Sequence, residues 1–320
     1  VSLYLGFDTS NYTTSVALYD SVRDEMHSAR KLLDVGKGSI GLRQSDALFH
    51  HISNLAGLVE ELSSRLSCGV IEAAAASEYP REVKGSYMPC FLAGKSHAKT
   101  VASLIGIPYY AFSHQQGHIA AGAWSAGKPE LLETEFLAFH VSGGTTELLH
   151  VVPDAKGRIA ASRIGGSSDL AAGQLVDRCG HLLGLGFPAG PEIEKLAEEH
   201  TSEIFFVPKS AGLEFSLSGL ENKVKELHNS KEFSSNIAFF VIKSITEVLC
   251  GALNKACGIY KHLPVLCVGG VMSNEYIRSQ ISGRFNAVFA APGFSSDNAA
   301  GIAYLAWKSH KEGGDALAER

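Results

Sequence analysis

The chain has 320 residues, 45% of them hydrophobic and 19% charged, enough for about two domains of ordinary globular composition. Its 28 basic residues against 33 acidic ones give a formal charge of −5. That balance excludes a generically basic nucleic-acid coat, so any RNA contact must come from a local patch or a partner.

In chain order, Ser2–Asp20 (SLYLGFDTSNYTTSVALYD) places β-branched and aromatic residues on both sides of a Ser/Thr/Asn turn, which is hairpin chemistry. Helical patterns follow at Asp46–Leu66 and Gly94–Ile105, with strand-like runs at Val70–Ser77 and Pro108–Phe112. Glu135–Val152 repeats the hairpin pattern around Ser142-Gly143-Gly144-Thr145. Helices are then predicted at Ser168–Leu185, Pro191–His200, Ser218–His228 and Asn236–Tyr260. A strand at Leu263–Gly270 leads into a helix at Asn274–Ser282. A strand at Ala287–Ala290 precedes a last helix from Asp297 to Ser309. Hairpin followed by helices, twice over, predicts two α/β domains of similar plan with the site in the cleft between them.

No run reaches the ~20 consecutive apolar residues of a membrane span. The start, VSLYLGFDTS, has neither the basic leader nor the cleavage site of a secretory signal. Six scattered cysteines (Cys68, Cys90, Cys179, Cys250, Cys257, Cys267) form no CxxC and read as buried free thiols. A soluble cytoplasmic protein without a membrane partner is expected.

Two turns could hold an anion. Asp8-Thr9-Ser10-Asn11 and Ser142–Thr146 each cluster backbone N–H groups and hydroxyls, although either by itself is simply a tight hairpin turn. A third element, CVGGVMSNEYIRSQI from Cys267, is strand, Gly-Gly, helix; the glycines admit a flat ring close to the backbone. Together the three match the plan of actin, Hsp70 and the sugar kinases.

His114 and His118 lie four apart in SHQQGHIAAG, on one face of a helix with Cβ atoms ~5–6 Å apart, so both imidazoles can reach one ion. Thirteen histidines also produce such pairs by chance. Asp297, in SSDNAAGIAYLA, is a candidate third ligand that would equally serve as an N-cap. Gln115 stands where HExxH carries its glutamate, which argues against a metallopeptidase.

Seven stretches in this order resemble the tRNA threonylcarbamoyladenosine synthase family, once described as glycoprotein endopeptidases. They are GFDTSNYTTSVALYD at Gly6, SHQQGHIAAG at Ser113, HVSGGTTEL at His140, DLAAGQLVDRCGHLLGLGFPAGPEIEKLA at Asp169, FSLSGLENKV at Phe215, VGGVMSN at Val268 and SSDNAAGIAYLA at Ser295. The resemblance implies a two-domain actin-like ATPase fold, with residues 1–112 plus 297–320 in one subdomain and 113–296 in the other, and nucleotide and metal in the cleft. It puts an iron or zinc ion on His114, His118 and Asp297. It puts an adenine nucleotide (threonylcarbamoyl-AMP, ATP or AMP) on Val141, Ser142, Gly143, Gly144, Asp177, Gly190, Glu194 and Asn274. The implied reaction is threonylcarbamoyl transfer from the adenylate donor to the adenosine beside the tRNA anticodon. The implied partners are tRNA and homologous or accessory subunits that dock through the N-terminal subdomain, where the Ser45–Leu66 helix resembles the docking region; that helix could equally pack on its own domain.

Departures from the family pattern cluster in the N-terminal half. Its Asp-Glu pair in the first turn is replaced by Tyr12 and Thr13, its Glu and Arg before His51 by Ser45 and Phe49, and its histidine after Ser-Gly-Gly by Thr145. Its Gly-rich stretch is replaced by YPREVKGSYMPCFLAG at Tyr79, which brings Arg81 and Lys84 toward the site. A divergent paralogue fits this pattern. The alternatives are therefore a nucleotide- and metal-binding scaffold without tRNA-modifying activity and, less supported, a metabolite kinase of the same superfamily. Arg23, Arg30, Lys31, Lys37 and Arg43 make either a solvated face or an RNA track.

Overall fold

The run Leu3–Phe7 carries no charge, and it forms a strand covered on both faces, β1 (Ser2–Ser10). The computed structural model of the chain describes residues 1–10, 12–33, 42–65, 69–261, 263–294 and 299–313. Asn11, Lys37, Cys68 and Asp297, all singled out above, lie outside them.

Two compact units are present. The first comprises Val1–Thr134, Val152–Ala161 and Ser296–Arg320, the second Glu135–Val151 and Ser162–Ser295. The first thus runs past residue 112, the boundary expected from sequence, because the helix carrying the histidine pair packs within it.

In the first unit β1 pairs antiparallel with β2 (Thr13–Asp20), and β2 with β3 (Glu25–Leu32). After α1 (Gln44–Ser64), β4 (Val70–Tyr79) joins the other side of β1 in parallel. After α2 (Phe91–Ile105), β5 (Tyr109–Ser113) extends the sheet. The strand order is β3-β2-β1-β4-β5. Leu5, Phe7, Val16 and Leu18 meet Leu55, Leu58 and Leu62 of α1 and Ala98 and Ala102 of α2 in one core. Helix α3 (His114–Ser125) and the last helix, α9 (Ala299–Lys311), complete the unit. Gly301 lets these two helices touch: a Cβ there would sit 1.8 Å from the Gly117 carbonyl oxygen.

The second sheet begins with β6 (Phe136–Val141) and β7 (Thr146–Asp154), an antiparallel pair, followed by β8 (Arg158–Ser167); the end of β7 and the start of β8 belong to the first unit. Helices α4 (Ala172–Leu182) and α5 (Gly190–Ala197) and the short strands β9 (Ser210–Ala211) and β10 (Glu214–Phe215) come next. Then follow α6 (Ser218–Asn229), α7 (Ser234–Ile259), β11 (Val265–Val268), α8 (Glu275–Ser282) and β12 (Ala287–Phe289). The sheet order is β12-β11-β6-β7-β8-β10-β9. Its first five strands repeat the order of the first sheet, β8-β7-β6-β11-β12 answering β3-β2-β1-β4-β5, with β11 and β12 parallel to β6.

Helix α7 holds no run of ~20 consecutive apolar residues, yet by length and mean hydropathy it resembles a membrane span, as the core helix of a globular unit also can. In the fold, 83% of its most apolar window is buried, with Ile237, Val241, Ile245, Leu249 and Leu253 in the core of the second unit. The five described cysteines are free thiols; Cys90, Cys179, Cys250 and Cys267 are buried, as expected, and Cys257 is partly exposed. Burial pushes the Cys250 thiol up to about 11 and Cys179 to about 12, so neither is a ready nucleophile.

Candidate functional site

Helix α3 starts with a capping box. The Ser113 hydroxyl accepts the Gln116 N–H, and the Gln116 side chain accepts the Ser113 N–H at 2.7 Å. Gln116 also donates through Nε2 to the Ile159 carbonyl at 2.6 Å, so the first turn of the helix is held at both ends. That rigid turn carries His114 at its first position and His118 one turn on, with ring centroids 4.7 Å apart.

Asp8, on β1, brings a carboxylate to this pair. Its Oδ2 lies 2.7 Å from His114 Nδ1, and its Oδ1 accepts the Ser10 N–H at 2.8 Å. An ionised carboxylate only accepts, so Nδ1 carries the proton and Nε2 keeps the lone pair, the tautomer a metal ligand needs. The described donors therefore fit a divalent ion: two imidazoles on one helical face, one of them braced by a carboxylate. Among the described residues no group of three or more His, Cys, Asp or Glu forms a complete cage.

Two polar side chains of the first hairpin turn point inward. Asp8 and Thr9 are 1% and 0% exposed, and the Thr9 hydroxyl donates to the Cys90 carbonyl while accepting the Gly94 N–H. A carboxylate that already faces an imidazole repels an anion. At Asp8 the turn supplies a brace for His114. Beyond the turn, Thr14 Oγ1 pairs with Nδ1 of the fully buried His51 at 2.8 Å. Burial holds His51 down to about 4, so it is neutral near pH 7.

The second hairpin turn is open. Ser142 N–H closes on the Thr145 carbonyl at 2.7 Å, while Gly143 and Gly144 are exposed and have room for a Cβ. Two other glycines hold the turn from behind. A Cβ on Gly173, in the first turn of α4, would lie 2.6 Å from Gly143 Cα, and one on Gly269 would lie 2.2 Å from the Val141 carbonyl oxygen. Gly269 also has φ +102°, which L side chains rarely adopt. The Thr146 hydroxyl accepts the Ala172 N–H at 2.8 Å, capping α4 from across the turn.

Asp177 on α4 accepts the Ala189 N–H at 2.9 Å, just before α5 begins at Gly190. Burial raises its carboxyl above the usual range, partly offset by that hydrogen bond. It also lines a cavity of about 490 Å³ walled by Leu175, Leu182, Leu185, Phe187 and Val224. Glu194, one turn into α5, accepts the Glu275 N–H at 2.6 Å, and Asn274 caps the same helix, α8, by accepting the Ile277 N–H. The structure thus brings Val141–Gly144 together with Gly173 and Gly269, Asp177 with the start of α5, and Glu194 with Asn274, all in the second unit. His114 and His118 belong to the first. Sequence reasoning missed Asp8 as the partner of His114, Gly173 as support for the open turn, and Thr146 as a cap. Each acts through a contact 26 or more positions away, for which a single sequence carries no signal.

Two five-strand orders of one plan, each carrying a hairpin turn, define the class: an actin-like ATPase fold. Solved structures of that class are similar. The activator of 2-hydroxyisocaproyl-CoA dehydratase from Clostridium difficile superposes with a TM-score of 0.55 at 15% identity, covering 97% of this chain and 96% of that one. A ROK family glucokinase from Streptomyces griseus does so at 0.51 and 11%, covering 97% and 99%. More particularly, the chain belongs to the tRNA N6-adenosine threonylcarbamoyltransferase family, TsaD, whose model matches residues 41–304. A curated member from Thermus thermophilus is 34% identical, over 97% of this chain and 93% of that protein.

Proposed function

We propose that the chain transfers a threonylcarbamoyl group from its adenylate to the exocyclic amine of the adenosine beside the tRNA anticodon. Membership of the transferase family carries this reading. The metal ligands are His114, His118 and Asp297, with iron or zinc the ion. The adenylate lies on Val141, Ser142, Gly143 and Gly144, with Asp177 and Gly190 at the ribose and Glu194 and Asn274 on the adenine side. The exposed Gly143 and Gly144, and the buried glycines that hold them, support the first of these assignments.

The amine nitrogen attacks the carbamoyl carbon of the mixed anhydride, the bond from that carbon to the phosphate oxygen breaks, and AMP leaves with the electron pair while the amine loses a proton. AMP is a good leaving group, so placing the amine matters more than acid catalysis. The Gly143 and Gly144 N–H groups receive the charge that collects on the departing phosphate. Asp177 and Glu194, both engaged with backbone N–H groups, orient the nucleotide rather than exchange protons. A divalent ion on the histidine pair would supply Lewis acidity.

Accessory or homologous subunits would dock through α1. Its buried stripe of Ala47, His51, Leu55, Leu58 and Leu62 packs within its own unit, and Phe49 and Ile52 stay 68% and 52% exposed. The work would take place in the cytoplasm, with tRNA.

The replacement of the family's Asp-Glu pair by Tyr12 and Thr13 favours a second reading, a paralogue that keeps the nucleotide site and leaves tRNA unmodified. Incubation with threonylcarbamoyl-adenylate and unmodified tRNA, read by mass spectrometry of the digested nucleosides, decides between them. Modified adenosine supports the transferase; adenylate binding with no modified nucleoside supports the paralogue.

A further inference from the structure

Asp8 and His114 are 106 positions apart, and each is set on a rigid element. Asp8 sits within β1, where it pairs with Ser15 across the ladder and its carbonyl accepts the Ser15 hydroxyl at 3.4 Å. His114 is the first residue of a helix whose N-terminus is closed by the Ser113–Gln116 capping box, and its ring packs at 6.0 Å from the Phe91 ring. Both backbones are thus fixed, and the Asp8–His114 contact sets the ring's orientation.

We propose that Asp8 is a positioning residue for the metal: its carboxylate holds His114 in the Nδ1–H tautomer and so dedicates Nε2 to the ion. This rests on the metal-binding reading of His114 and His118.

The chemistry of the donors leads there. Asp8 is 1% exposed, and a carboxylate taken that far from water needs hydrogen bonds on its oxygens. Oδ1 obtains one from the Ser10 N–H and Oδ2 obtains one from His114 Nδ1. A neutral imidazole has one proton for two nitrogens, so the nitrogen that donates to Asp8 cannot bind a metal, and only the other can. The carboxylate also makes the ring a better donor by drawing on its Nδ1 proton. Without Asp8 the ring would divide between tautomers and rotate about its side-chain bonds, and both effects weaken ligation.

The test combines a tautomer measurement with metal titration of the purified full chain. In the metal-free protein, long-range ¹H–¹⁵N correlation of the histidine rings is expected to show His114 protonated at Nδ1; a ring protonated at Nε2 overturns the inference without any variant. Co²⁺ titration followed by visible absorption then compares Asp8→Ala, Asp8→Asn and His118→Ala with the unaltered protein. Loss of the carboxylate is expected to weaken Co²⁺ binding about 10–100-fold, the usual effect of removing an outer partner of a ligating histidine. Asp8→Asn, nearly isosteric, keeps the test open if Asp8→Ala fails to fold, and a loss toward the lower end is expected for it. Affinities within twofold of the unaltered protein in the Asp8 variants, alongside a large loss in His118→Ala, overturn the positioning role alone. An unaltered protein that takes up no Co²⁺ overturns the metal reading itself, a result distinct from either of these.

Discussion

Glu194 Oε1 accepts the backbone N–H of Glu275 across 81 positions of sequence, at 2.6 Å, and so ties the first turn of α8 to α5. The negative carboxylate meets the positive end of α8, where Asn274 already accepts the Ile277 N–H.

Glu194→Ala removes this tie. The contact is partly solvated, so a loss of about 0.5–1 kcal/mol is expected, discounted from what a buried charged hydrogen bond would give. AMP binding should weaken by more than stability does, because the start of α8 carries Asn274. Urea denaturation and calorimetric titration with AMP separate the two effects; unchanged AMP affinity would remove Glu194 from the nucleotide site.

Gly173→Ala forces a methyl group against Gly143 Cα and the Ser142 carbonyl, each 2.6 Å from the new Cβ. Overpacking against backbone is expected to cost about 1–3 kcal/mol and to displace the open turn. Gly143→Ala meets nothing within 4 Å and should keep its melting temperature within a degree or two. Thermal unfolding of the pair checks whether the support behind the turn, rather than the turn's own glycine, is what the fold requires.

Gly301→Ala places a Cβ 1.8 Å from the Gly117 carbonyl oxygen, where α9 meets the helix that carries both histidines. Backbone cannot yield as a flexible side chain can. A loss of about 3 kcal/mol or failure to fold is expected, read as a fall in expression and melting temperature. Gly251→Ala, an open position within α7 of the other unit, is the matched control.

His51 gives the first unit a sensitivity to acid. Its folded value, about 4, lies below the ordinary 6.5 because burial disfavours the cation. The unfolded chain therefore takes up a proton that the folded one refuses as pH falls from 6.5 to 4. Stability contributed by neutral His51 is complete above pH 6.5 and is lost through that window, by about 3 kcal/mol at most. Urea midpoints at pH 7 and pH 5 should differ more for the unaltered protein than for His51→Gln; equal differences would show that acid acts elsewhere.

Local chemistry carried most of the element map. The hairpins at Ser2–Asp20 and Glu135–Val152 and the helices that follow them were legible because apolar spacing and turn residues act over a few positions. Strand β3 was not: EMHSARKL has only one buried residue, Ala29, and an edge strand that needs so little burial leaves no apolar alternation to read. Strand β8 escaped for a related reason, since the Gly165–Gly166 pair near its end reads as a turn; Gly166 instead packs its backbone against Thr146 and Glu147.

From its own residues the chain determined two hairpin-led α/β halves, an HxxxH on one helical face, and a Gly-Gly junction behind a buried strand. Tertiary structure alone decided what those pieces do to one another. It set Asp8 onto His114, left Gly143 and Gly144 open, and set Glu194 on the start of α8. Helix and turn propensities are set within one turn of chain. The tautomer of an imidazole, or the space in front of a glycine, is set by atoms that arrive from a hundred residues away only once the core has closed.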